Sequence, residues 1–176
     1  RPGRAAAAMR WTRSLVVVYT NVALYALCFQ LQRPIEPFLV EKLGAKGADA
    51  AMSYGTLQSF FSAVQTAGSL AMGILLDRLG ARRAFVLCYA SSAASYWLLS
   101  MSTSLPILYL SKVPTFFQAG FLVAQALIAQ ETSEEDRAEA LGRATTAYTA
   151  GATVGPLLGG WLGASGNYYL GARLAV

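Results

Sequence analysis

Charge is missing from long stretches of this chain, and that limits what it can fold into. Five runs hold no Asp, Glu, Lys or Arg: residues 14–32, 50–76, 84–111, 113–130 and 144–172, of 19, 27, 28, 18 and 29 residues. A helix needs about 20 predominantly apolar residues to cross a bilayer, so every run is close to that length or above it. A surface helix of a soluble domain carries a charged face instead. Only 13% of the 176 residues are charged and 55% are apolar, against about 25% charged in soluble domains. The pattern points to an all-α membrane protein and away from a soluble enzyme.

Other classes fall with it. The net charge of +5 could suggest nucleic acid, but the basic residues sit at the ends of apolar runs, where membrane topology accounts for them. Cys28 and Cys88 both lie inside apolar runs and give neither a disulfide framework nor a metal spacing. With no histidine, a zinc or haem site has almost nothing to use, and no cofactor is expected. A membrane-embedded enzyme would need paired carboxylates, a His/Cys cluster or a Ser/base pair at membrane depth, and none is visible.

The gaps between runs set the topology. Residues 1–13 read as a disordered cytoplasmic leader, with Met9 the first methionine. Spans are expected at about 14–37, 52–76, 84–101, 105–130 and 140–163, with a sixth begun at 168–176 and too short to cross. Pro34 and Pro37 bend or end the first. Arg1, Arg4, Arg10, Arg13, Arg78, Arg82, Arg83, Arg137 and Arg143 fall on one side, while Lys42 and Lys46 alone fall on the other. The positive-inside bias then places the N-terminus and the 77–83 turn in the cytoplasm.

Small and polar residues repeat at helical spacing within the spans. Gly151, Gly155, Gly159 and Gly163 recur every four residues, with Gly160 beside them and Pro156 inside the stripe. In lipid, small residues at this spacing let two backbones approach closely. The stripe is either a packing seam alone or a seam whose proline favours a bend. Gln58, Ser62, Gln65 and Ser69 line one face of the second span, Asn21, Tyr25, Cys28 and Gln32 one face of the first, and Lys112, Thr115, Gln118 and Gln125 a looser line on the fourth. Such stripes point into a shared cavity or serve as interhelical hydrogen-bond glue. The third span offers mainly Ser91, Ser92 and Ser95, which suggests a peripheral place. Arg33 and Glu36, three apart, can pair on one helix face or be solvated at the interface. Lys112 is either a functional intramembrane cation or a snorkelling one.

One turn carries a family resemblance. The segment from Gly73 through Asp77, Arg78, Gly80, Arg82 and Arg83 resembles the loop between the second and third helices of the major facilitator superfamily, G-x-x-x-D-R-x-G-x-R-R. Gly151–Gly160, with Gly155-Pro156-Leu157-Leu158-Gly159-Gly160, is similar to the family's fifth-helix motif. Glu131 through Arg137 to Arg143 is similar to its loop 4–5 pattern. In the fourth helix Lys112 occupies the basic position, while Gln118-Ala119-Gly120 comes later than the family's pattern has it. Tyr54-Gly55, Leu57-Gln58 and Gln65 resemble the group of solute carrier family 22 member 18 and the drug/proton antiporters near it.

The resemblance implies the N-terminal half of a two-half fold around a central cavity, lined by helices one, two, four and five. Helix five would add Thr146, Thr149 and Thr153. It implies a secondary transporter of a small organic solute, with or without a coupling proton, embedded in membrane lipid and completed by a C-terminal half. Asp77 would face a helix end of that second half, and Arg82 or Arg83 would pair with Glu131. A reading from a different class is a non-transporting membrane module built on the half-fold.

Overall fold

The structure is a computed structural model that describes residues 13–44, 46–164 and 166–176. The expected leader falls, up to residue 12, outside the described residues. Helices account for the described chain in the order α1 (Arg13–Leu31), α2 (Glu36–Lys42), α3 (Ala48–Leu79), α4 (Ala81–Ser100), α5 (Leu105–Lys112), a 3-10 turn (Pro114–Phe117), α6 (Gly120–Glu131), α7 (Glu134–Ala164) and α8 (Leu170–Ala175). No strand occurs among the described residues.

Three segments are long and apolar enough to cross a membrane: Ser14–Lys42, Ala48–Leu79 and Leu105–Glu131. The two others, α4 with 20 residues and α7 with 31, reach about 30 Å or more at 1.5 Å per residue. Serines in α4 and the acidic start of α7 make them more polar. The large apolar side chains left exposed, among them Leu70, Ile74, Val86, Trp97, Leu157 and Trp161, stand on outward helix faces, as a lipid-facing surface requires.

The first span breaks near its C-terminal end, as Pro34 and Pro37 require. Helix α1 stops at Leu31, and α2 begins at Glu36 with proline in its first turn. The second and third spans meet in one residue. Gly80 has φ +78, a left-handed conformation that glycine adopts without steric cost, and it lets α4 start at Ala81.

The segment from Glu131 to Arg143 differs from the loop expected there. Ser133 caps α7: its hydroxyl accepts from the Asp136 N–H at 3.2 Å and donates to the Asp136 carboxylate at 3.0 Å. Glu134, Glu135 and Asp136 then occupy the first turn, where the helix dipole favours negative charge. Acids that look like loop in the sequence are a helix start.

The longest packing seam joins α1 and α7. A Cβ at Gly155 would stand 2.8 Å from Gln30 Cβ and 2.9 Å from the Leu27 carbonyl. At Gly151 and Gly159 it would overlap the carbonyls of Ala23 and Leu31. The glycines therefore remove side chains where two backbones touch. Gly160 has nothing within 4 Å and lies off the seam. Helix α7 continues through Pro156 without interruption.

The fourth span does not run as the single helix expected over 105–130. It unwinds between Lys112 and Gly120, and α4 packs against both halves and the turn between them. This break builds the site.

A buried charge pair and amide cluster at the broken helix

An unwound segment frees backbone carbonyls, which must find partners where no water is present. Here neighbouring helices supply them. The Ser95 hydroxyl donates to the Ser111 carbonyl at 2.7 Å, and Ser91 donates to that of Pro114. Thr115 returns its hydroxyl to Lys112. The Gln118 carbonyl accepts twice, from Tyr25 Oη at 3.1 Å and from Gln65 Nε2 at 3.2 Å. Within the segment, the N–H groups of Phe116 and Gln118 bond the carbonyls of Val113 and Thr115. The Phe116 carbonyl lies against Gly68, where a Cβ would overlap it, so α3 can approach only because that position is glycine.

The break presents Lys112 inward from the last turn of α5. Its ammonium pairs with Glu36 Oε1, and both side chains are less than 10% exposed. The second carboxylate oxygen, Oε2, accepts from Gln58 Nε2 on α3 at 2.7 Å. Three separate segments, α2, α3 and α5, thus meet at one carboxylate. Glu36 is therefore neither paired locally with Arg33 nor solvated, the two alternatives that the sequence leaves open. The Arg33 guanidinium instead stands over the rings of Phe29 and Phe61, at 5.1 and 6.0 Å, and Lys112 Nζ stands 5.5 Å from the same Phe61 ring. Such contacts suit cations in partly dry surroundings.

Around the pair lies a chamber of about 20 Å³ bordered by Gln32, Arg33, Glu36, Gln58, Tyr96 and Gln118 among others. Gln118 Nε2 donates to Tyr96 Oη at 3.1 Å. Gln118 also separates this chamber from a larger one of about 240 Å³, whose wall includes Tyr25, Gln65, Ser69, Phe121 and Tyr148. Tyr148 packs against Phe121 with ring centroids 5.0 Å apart.

Of the residues singled out by sequence, the structure brings Gln32, Gln58, Lys112 and Gln118 to the smaller chamber and Tyr25 and Gln65 to the larger. Asn21 is placed elsewhere, its amide returned to the Val17 carbonyl at 2.8 Å. Thr149 is exposed on α7 and bonded back to Thr145. Gln125 is half-buried on α6 and lines neither chamber. Two residues were missed. The sequence offers Glu36 a local partner in Arg33 or a solvated place, and it gives Tyr96 no polar stripe to mark it. The serine face of α4, expected to be peripheral, is buried because its hydroxyls satisfy the broken helix.

At the turn between α3 and α4, Asp77, Arg78, Arg82 and Arg83 are exposed, and Gly73 has nothing within 4 Å. Glu131 is exposed too. Among the described residues the ion pairs are Lys112–Glu36 and Arg143–Glu139, so the expected pairing of Arg82 or Arg83 with Glu131 is not formed in this structure. Arg137 is half-buried on the first turns of α7. Among the described residues, no group of three or more metal-ligating side chains is found.

The described helices form an apolar bundle, with spans interrupted near Pro34 and Pro114, around a buried charge pair. The profile of the Major Facilitator Superfamily matches residues 18–174, and the chain belongs to that family as an integral membrane protein of its all-helical, N-terminal-half fold. It is 33% identical to solute carrier family 67 member A1 of Homo sapiens over 92% of this chain and 38% of that protein. It is 33% identical to solute carrier family 22 member 18 of Mus musculus over 84% of this chain and 37% of that protein. With the class D tetracycline resistance protein of Salmonella ordonez it shares 31% identity, over 84% of this chain and 38% of that protein. The chain thus spans less than two-fifths of the length of these curated relatives.

Proposed function

We propose that the chain forms the N-terminal half of a secondary transporter that moves a small organic solute by alternating access, with or without a coupling proton. The observation that carries this reading is the Glu36–Lys112 pair, buried with Gln32, Gln58 and Gln118 between spans. Ionisable groups at membrane depth are costly and mark solute or ion pathways by default. A helix interrupted at that depth is a further device of such proteins, because irregular backbone is tolerated only where protein or a cavity covers it.

Each end of the half has its own role. The larger chamber beside Gln118 is walled by rings, amides and hydroxyls from α1, α3, α6 and α7, which suits a neutral or singly charged organic molecule. At the other end, the exposed Asp77, Arg78, Arg82 and Arg83 sit on a fixed glycine turn. They are placed to make and break charge contacts with a second six-helix half, Asp77 with a helix end and the arginines with carboxylates. The N-terminus and this turn lie in the cytoplasm, following the arginine bias. The stripe Gly151, Gly155 and Gly159 keeps α7 fixed to α1 along a seam that runs past Pro156.

The likeness to the tetracycline resistance protein of Salmonella ordonez makes tetracycline the first solute to test. With the full-length protein that contains this half reconstituted in liposomes, tetracycline flux is measured with and without a proton gradient. Asp77→Asn is expected to slow flux tenfold or more while folded yield stays unchanged. Wild-type flux in that variant would contradict the role given to the turn. Folded protein that moves neither tetracycline nor any of a panel of organic cations and neutral drugs would favour the non-transporting module.

A further inference from the structure

We propose that the chamber beside the Glu36–Lys112 pair is a binding site for one small monovalent anion of the size of chloride. Its volume of about 20 Å³ is slightly above the 10–15 Å³ that one water-sized occupant needs, so it takes a single monatomic ion and no organic group. What selects the occupant is an excess of unspent hydrogen-bond donors.

Gln32 is 5% exposed, and its Nε2 is buried with no partner among the described residues, although the side chain lines the chamber. A buried amide without a partner is rare and calls for an occupant. Tyr96 Oη accepts from Gln118 and so retains its own proton to donate. The Lys112 ammonium carries three N–H groups and gives one to Glu36. These donors come from the bend that follows α1, from α4 and from α5. The Glu36 carboxylate is engaged by Lys112 and Gln58 through separate oxygens and does not satisfy Gln32.

Charge points the same way. Among the lining residues the buried Lys112 and Glu36 cancel, and the exposed Arg33 leaves one positive formal charge. A cation would meet both basic groups at close range, and a divalent anion would exceed the surplus and be repelled by Glu36. A monovalent anion neutralises it. The site is independent of the transport reading, since it requires only this fold.

The test uses the purified protein in detergent, with its thermal midpoint measured in sodium chloride and in sodium gluconate at equal ionic strength. Chloride at several times its dissociation constant is expected to raise the midpoint by about 2–4 °C, saturably, and bromide to do the same. Gln32→Met is expected to abolish the chloride increment while its midpoint in gluconate equals or exceeds that of the wild type, because the orphan amide is gone. Should Gln32→Met fail to fold, Tyr96→Phe serves in its place and weakens apparent chloride affinity several-fold. Equal midpoints in the two salts overturn the proposal, which leaves water as the occupant. An undiminished chloride increment in Gln32→Met, or in Tyr96→Phe when it stands in, also overturns it.

Discussion

Pro156 and Pro114 both sit in the middle of membrane-spanning segments, yet one helix passes through its proline and the other comes apart. At either position proline withholds an N–H from the carbonyl four residues earlier. Around Pro114, side chains from other helices stand ready: Ser91 and Ser95 from α4, Tyr25 from α1 and Gln65 from α3 take up carbonyls of the unwound segment. Around Pro156, the facing surface of α1 offers backbone carbonyls packed against glycine, which accept and cannot donate. Unwinding α7 there would strand several more carbonyls in lipid. The neighbours decide whether a proline breaks a helix, and in this molecule the break is where the charged site forms.

The largest test of this contrast is on the break side. Lys112→Met leaves Glu36 buried without its cation, and loss of one partner of a buried pair costs about 3–5 kcal/mol. A fall of several degrees in thermal midpoint is expected, with most of it recovered when Glu36→Gln is added. A double variant no more stable than Lys112→Met alone would show that the pair does not carry the effect.

The seam side comes next. Gly151→Leu drives a side chain into the Ala23 carbonyl, an overpacking cost of about 3 kcal/mol. The same change at Gly160 meets nothing within 4 Å and should stay within about 0.5 kcal/mol. Folded yield by gel filtration and thermal midpoint check both. Equal losses at the two positions would mean the stripe is not a close-contact seam.

The smallest effect returns to the break. Ser91→Ala removes the donor to the Pro114 carbonyl and should cost about 1 kcal/mol. No change in midpoint would indicate that the unwound segment does not depend on its neighbours' hydroxyls.

The two regions also differ in how far the sequence exposes them. A seam made of one residue type at a fixed spacing of four can be counted directly from Gly151 to Gly163, and the stripe does face α1. The break cannot be counted in this way. Pro114 lies inside a long apolar run, and the groups that make unwinding affordable lie 16 to 93 positions away in the chain. The same limit hides the partner of Glu36. A rule for residues three or four apart offers Arg33, whereas the actual partner is 76 positions distant. Helix positions themselves follow from local apolarity and turn chemistry, so most of them are legible. The acidic start of α7 was read as loop because its charges resemble a solvated linker until Ser133 is recognised as a cap.

The central claim is that the buried Glu36–Lys112 pair belongs to a transport pathway and is not merely structural. The most direct test compares tetracycline flux in liposomes for the full-length protein that contains this half and for its Glu36→Gln/Lys112→Met variant, a double change that removes both charges together and so avoids stranding one. The account predicts folded protein in normal yield with flux reduced at least tenfold. Flux equal to that of the wild type in the folded double variant would contradict it.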